Sequence, residues 1–343
     1  MQELIKQFLL GASVVASVSA IATNAAFAVS LTGATLGGNA PHLRYNSNSQ
    51  YTYTDSSASL STILTGNSSS PTGNIELFSN SEQSPISPSS NLPPSPSNLL
   101  SAFTTFYNFL GYNEFTSLSG QIGDKDITLS SLTAVDWFGA AAVTKARQDI
   151  ANALSPTNGL TLSARINALN LAINPLYNSP NLATNWFQEA LGTYGLSSSQ
   201  SDFNMFLLAG GFQRFSDPNI SYVNQDGNGL LRIGLAGHYD AAALLKLPSN
   251  PNHPIQASEL VKVIYNNQPA QYLYGFTATQ SGLHNNEAFG NSGSSYNGNS
   301  DHSGNYELTL QGEAPASIPE PSIVLGLMSL GGIFVAKQKL HKS

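Results

Sequence analysis

Five prolines, Pro85, Pro88, Pro93, Pro94 and Pro96, stand among serines between residues 80 and 98, where there is almost nothing to bury. Proline fixes φ and has no N–H to give, so neither a helix interior nor a central strand can pass through such a stretch. It reads as a solvated linker or long surface loop. Its Ser-Pro character also suits O-glycosylation. The body of the chain is thereby split into a smaller segment, 29–79, and a larger one, 99–317.

In the smaller segment, short apolar and Tyr/Thr-rich pieces alternate with turn residues such as Gly37-Gly38-Asn39 and Asn46-Ser47-Asn48. Tyr51-Thr52-Tyr53-Thr54 and Asn74-Ile75-Glu76-Leu77-Phe78 have strand character. Beyond the linker, residues 99–115 are aromatic-rich and fit no single period. Residues 120–132 read as a hairpin around Gly123-Asp124. Helical patterns follow: an Ala-rich one over 140–154 with Lys145 and Arg147 exposed, then Leu162, Ile166, Leu169, Ile173 and Leu176 at steps of four and three. Pro175 should end or kink that second helix. Ala183, Phe187, Ala190 and Tyr194 mark a third, and Ser199 with Asp202 makes an N-terminal cap for a fourth that stops at Gly210-Gly211.

The chain then returns to strands. Asp226-Gly227-Asn228-Gly229 is a strong hairpin turn, Asn266-Asn267 a second one, and Tyr306, Leu308 and Leu310 alternate with Glu307, Thr309 and Gln311 as a half-buried final strand. The expected class is α+β, with β-rich N- and C-terminal parts of the body and helices between them. Sequence order permits the two β parts to share a sheet and does not decide it.

The ends carry a different message. Residues 8–22 are apolar or small after a weakly basic start at Lys6, and Ala26-Phe27-Ala28 fits the small-x-small pattern that signal peptidase reads. Residues 1–28 are therefore expected to be a secretory signal cut after Ala28. A membrane anchor is the competing reading, but the run is short and interrupted by Ser13, Ser17 and Ser19. At the other end, Pro319-Glu320-Pro321 precedes an apolar run over 323–336, and Lys337, Lys339, His341 and Lys342 close the chain. As a helix that run covers about 21 Å of a hydrocarbon core about 30 Å thick, and the lysines would hold the last residues in the cytoplasm.

Signal peptide, Pro-Glu-Pro, short apolar helix and basic end together resemble the tripartite PEP-CTERM sorting signal, over residues 318–343. The resemblance implies recognition by an exosortase-type membrane transpeptidase, removal of the tail at or near Pro319, Glu320 and Pro321, and transient membrane insertion of 323–336. It also implies a cell-envelope or extracellular-matrix location linked to exopolysaccharide or biofilm. The basic end here is built from Lys and His, whereas that class usually has Arg. A plain C-terminal membrane anchor is the other reading of the same segment. The body itself resembles an uncharacterised exported family of that class, which implies no activity.

Composition narrows the function further. Charged residues are 10% of the chain, and the missing polarity is supplied by 47 serines and 33 asparagines. Residues 29–317 hold nine basic against eighteen acidic side chains, net -9, with no basic block, which argues against nucleic acid. With no cysteine, disulfides, thiol catalysis and Cys-ligated metals are excluded. No Gly-x-Ser-x-Gly, His-Glu-x-x-His, phosphate-loop or dinucleotide motif occurs, and none of the six histidines has a metal-ligand spacing. No cofactor is called for, and a non-enzymatic role is expected.

Weaker candidates remain open. His238-Tyr239-Asp240 could sit at a sheet rim as a base, or be a turn with Asp240 capping a following helix. Asp226 and Asn228 could offer oxygens to calcium, or simply close a hairpin. Asp301, Asn305 and Glu307 could gather around a cation, or form a solvated turn and the outward face of the last strand. Tyr51, Tyr53, Tyr265, Tyr272, Tyr274 and Phe276 could form a sugar-stacking strip, or be core. Two functions are thus carried forward: a structural or adhesive envelope protein, and a secreted polysaccharide-acting enzyme or carbohydrate-binding module.

Overall fold

The computed structural model describes residues 29–48, 50–77, 96–242, 253–285 and 302–314. In chain order the first strands are β1 (Val29–Ser30), β2 (Thr32–Gly38), β3 (Leu43–Ser47) and β4 (Tyr51–Thr54). A single helical turn, α1 (Leu60–Ile63), leads to β5 (Gly66–Asn67), β6 (Ser70–Pro71) and β7 (Gly73–Glu76). Helix α2 (Pro96–Leu110) precedes the hairpin β8 (Thr116–Ile122) and β9 (Lys125–Ser130). Then come α3 (Ala134–Phe138), α4 (Ala140–Leu154), α5 (Leu162–Asn178), α6 (Leu182–Thr193), α7 (Gln200–Leu208) and α8 (Gly211–Arg214). The last strands are β10 (Asn219–Gln225), β11 (Leu230–Gly237), β12 (Val261–Tyr265), β13 (Gln271–Leu273), β14 (Thr279–Gln280), β15 (His284–Asn285) and β16 (Gly304–Gln311). The class is α+β, with strands at both sequence ends of the body and helices between.

The two β-rich parts do share sheets. One sheet runs β14-β16-β11-β10-β7-β3-β4-β15 with β1 also on β10, and the other runs β13-β12-β9-β8-β2. Glu76 and Ile75 of β7 pair with Asn219 and Ile220 of β10, and β2 pairs with β8. The larger sheet is also rolled. Residues 279–280 pair with β16 at one edge, and 284–285, a few residues later, pair with β4 at the other. Five strand spacings of about 4.8 Å would put β16 about 24 Å from β4 in a flat sheet. Yet His302, two residues before β16, lies 2.6 Å from Thr52 of β4. The sheet is therefore a near-closed barrel.

Alternation along each strand assigns the faces. Ile75, Ile220, Val223, Leu231, Ile233, Leu235, Tyr306, Leu308 and Leu310 lie on the convex face of the rolled sheet. They are buried against Leu118, Ile122, Ile127, Leu129, Val261, Val263 and Leu273 of the second sheet. Each large apolar side chain fully buried there contributes roughly 1.5–3 kcal/mol.

The helices form a separate aromatic core around Trp137, Trp186, Phe203, Phe206, Phe212 and Phe215. Phe212 packs against Trp137 with ring centroids 5.0 Å apart and edge-on to Phe206 at the same distance. Local signals start these helices. Ser199 accepts from the Asp202 N–H while its own N–H donates to the Asp202 carboxylate, both at 3.2 Å, and Asn181 caps α6 through the Thr184 N–H at 2.8 Å. Three expectations are corrected. The ambiguous 99–115 region is mostly α2, which begins at Pro96 inside the supposed linker, the first-turn position where proline's missing N–H costs nothing. Pro175 does not end α5, which runs on to Asn178; of the two expected effects of that proline, termination is the one overturned. Arg147 is half-buried, its guanidinium 5.0 Å from the centre of the Tyr107 ring.

An ionic clamp ties the helices to the second sheet. Asp136 of α3 accepts from Lys262 Nζ at 2.9 Å and from the Tyr272 hydroxyl at 2.8 Å, while its other oxygen takes the Thr133 N–H at 2.8 Å. Burial pushes the Asp136 carboxyl up, but Lys262, the Thr133 N–H and Tyr272 together hold it below the usual value. A carboxyl depressed in the folded state stabilises above its unfolded pKa, and that stability is lost as pH falls through the folded one. Asp136→Asn should therefore cost roughly 1.5–3 kcal/mol at pH 7, and the gap to the parent should narrow as pH falls through and below the usual carboxylate range. Urea unfolding of both proteins across that range measures it.

Candidate functional site

The concave face of the rolled sheet is polar and largely buried. Tyr45, Thr52, Asn74, Glu76, Asn219, Ser221 and Asn305 are all on it, and none exceeds 8% exposure. In an ordinary antiparallel sheet these alternate positions would face water. Here the roll of the sheet, which brings β16 back toward β4, takes them out of it.

Contacts run across the interior. The Tyr45 hydroxyl donates to Glu76 Oε2 at 3.1 Å, and the Tyr45 ring stands edge-on to His302 at 4.7 Å. His302 Nδ1 faces the Thr52 hydroxyl at 2.6 Å and the Asn74 amide at 3.4 Å. Asn305 Nδ2 donates to Ser221 Oγ at 2.7 Å, and Asn219 donates Nδ2 to Glu259 at 3.3 Å. Further along, the Tyr222 hydroxyl donates to Glu307 at 2.9 Å, and Glu307 pairs with Arg232 at 2.6 Å. Burial and the adjacent Glu307 charge push the Tyr222 phenol far above its ordinary range, so it stays a donor. The hairpin β5–β6 lies over this end, where the Gly66 carbonyl accepts from Asn224 at 3.2 Å.

Two local features make room. A bulge between Ile220 and Tyr222 inserts Ser221 into β10, bringing Ser221 and Tyr222 side by side. On β11 the concave-facing positions opposite Tyr222 and Asn219 are Gly234 and Ala236, too small to compete for the space, while Arg232 further along the strand reaches Glu307.

The expected site residues fall out unevenly. Ala26, Ala28, Pro319, Glu320 and Pro321 lie outside the described residues, as do Asp301 and the segment 323–336. Among the described residues no helix is long and apolar enough to cross a membrane. Asp226 closes its hairpin by accepting from the Asn228 and Leu230 N–H groups at 2.9 and 3.0 Å. Asp240 accepts from the Ala242 and Ile255 N–H groups, a loop-closing role, and the His238 carbonyl accepts the Tyr306 hydroxyl at 2.6 Å. Asn305 is buried at 1% exposure, so it is not part of a solvated face. The aromatic strip does not exist as one surface. Tyr51 and Tyr53 are on β4, Tyr265 lies in the core between the sheets, and Tyr274, with Phe276, packs on the helices. Nothing in the sequence marks the buried interior, because polar alternation looks the same whether it meets water or a rolled sheet.

No family model matches the chain, and no curated protein or solved structure is similar enough to match.

The packing over Gly234 gives a direct test. A Cβ there would lie 2.2 Å from the Tyr222 ring and 2.6 Å from Ser221 Oγ, whereas one at Gly227 meets nothing within 4 Å. Gly234→Ala should cost about 1–3 kcal/mol by overpacking, with Gly227→Ala near neutral. Guanidinium unfolding of the two variants reads the difference.

Proposed function

We propose that this is an exported cell-envelope or extracellular-matrix protein with a structural or adhesive role. It is directed out by the segment ending at Ala28, and sorted and C-terminally processed by an exosortase-type transpeptidase at or near Pro319, Glu320 and Pro321. An association with exopolysaccharide follows from the same resemblance. The observation that carries the proposal is the order of features at the two ends: a signal-like start, then Pro-Glu-Pro, a short apolar run and a basic close.

The folded body is compatible with processing at both points. Val29, the first residue expected after signal cleavage, is the first residue of β1 and pairs with Gln225. The last strand ends at Gln311, and Glu313 is pinned by Lys125 Nζ at 3.0 Å and Asn266 Nδ2 at 3.0 Å. From Glu313 to Pro319 the chain can extend at most about 20 Å. Both cuts would thus fall outside the described strands, and Val29 and Glu313 lie at the same end of β10, where Gln225 pairs with Val29 and its Nε2 donates to the Glu313 carbonyl at 2.8 Å.

Replacing Pro319 and Glu320 with Ala tests the proposal in the native host. The parent should leave the inner membrane, and the variant should remain there with its apolar run. Equal distribution of the two among cell fractions would contradict it.

A further inference from the structure

We infer that the interior of the rolled sheet holds a hard cation, calcium above all, between β7, β10, β11 and β16. One rung of the ladder carries the proposal. Glu76 is in register with Asn219, Asn219 with Ala236, and Ala236 with Asn305. Directly opposed residues point to the same side of a sheet, so Glu76, Asn219 and Asn305 share the concave face, with only a methyl group between the two asparagines. Asn305 leans over that methyl toward β10, because its Nδ2 reaches Ser221 Oγ at 2.7 Å. Asn219 gives its Nδ2 to Glu259 at 3.3 Å, which turns its carbonyl oxygen the other way.

The second observation is what these amides lack. Oδ1 of Asn219, of Asn305 and of the neighbouring Asn74 is buried and accepts no hydrogen bond, although the three residues are only 8%, 1% and 1% exposed. Buried acceptors left without a donor are rare in a folded protein. Three on one concave face, beside the Glu76 carboxylate that accepts from Tyr45, form an oxygen-rich set, the preference of a hard cation that takes six to eight oxygens at roughly 2.3–2.6 Å. Two strand spacings separate Asn219 from Asn305, about 10 Å between Cα atoms, and two asparagine side chains reaching inward close that to the width of a coordination sphere. Among the described residues no three His, Cys, Asp or Glu side chains gather as metal ligands. This site differs in kind, being built chiefly from neutral amide oxygens around one carboxylate. Such a set should bind weakly and be tuned strongly by added charge.

The proposal is independent of how the chain is exported. It is tested on the purified full chain, stripped with chelator and titrated with calcium chloride, with magnesium chloride as control. Calorimetry should show saturable calcium binding and a raised melting temperature, with magnesium much weaker. Glu76→Gln should weaken calcium at least tenfold. Asn305→Asp keeps the shape and adds a charge, so it should melt lower than the parent in chelator and bind calcium about tenfold more tightly, regaining its stability. If the parent binds no calcium and calcium fails to rescue Asn305→Asp, the amide oxygens face ordered water only and the proposal is wrong. Calcium binding unchanged by both substitutions would place the ion elsewhere and equally overturn it.

Discussion

Strand β10 is the constraint on which everything else depends. Every residue from Asn219 to Gln225 is buried, and the strand pairs with β1 and β7 on one side and β11 on the other. It is the place where the first and last parts of the body become one sheet across the linker and the whole helical insertion. Its two faces serve opposite environments. Ile220 and Val223 enter the apolar layer between the sheets, while Asn219, Ser221 and Tyr222 turn into the polar interior. The bulge that lets Ser221 and Tyr222 both contribute there is a local irregularity with a long-range effect, because their partners Asn305 and Glu307 lie on β16, two strands away.

The helical insertion is a second cooperative unit rather than a decoration. Its aromatic core is closed by residues from beyond β11, including Ala241, Ala257, Leu260 and Tyr274. Backbone bonds join the layers as well: the Leu132 N–H donates to Ser216 at 2.9 Å, and the Leu260 N–H to Phe215 at 3.0 Å. Trp137 finds the Ser216 hydroxyl at 2.7 Å, satisfying the one polar atom of a fully buried indole. Charge is scarce in this chain, and the Asp136–Lys262 pair is one place where it joins the layers. Breaking such a pair costs more than the pair itself gains, because the remaining charge stays partly buried.

Much of this was legible from residues alone, for reasons that are local. Helix α4 has the limits its Ala-rich pattern gave, the Ser199–Asp202 cap is present, and three hairpins turn at Gly123, at 226–229 and at Asn266-Asn267. The last two asparagines take positive φ of 49° and 57°, a conformation asparagine tolerates better than most residues. Helix α2 escaped because its phenylalanines, Phe103, Phe106 and Phe109, were masked by a proline-rich approach and by the low helix propensity of aromatics. The polar interior escaped for a deeper reason. Asn74 with Glu76, and Asn305 with Glu307, obey a two-residue period that tells which side chains share a face and nothing about what the face meets. Only the rolling of the sheet, a long-range fact set by 279–285, buries them.

What joins fold and fate is the claim that the mature molecule is the folded body, trimmed at both ends close to its first and last strands. Intact-mass measurement of the protein recovered from the cell-surface or matrix fraction of its native host tests this most directly. The account requires a chain that begins at Val29 and ends no later than about Pro321. A mass that still includes the lysine-bearing end, Lys337 to Ser343, would contradict it and make residues 323–336 an ordinary membrane anchor.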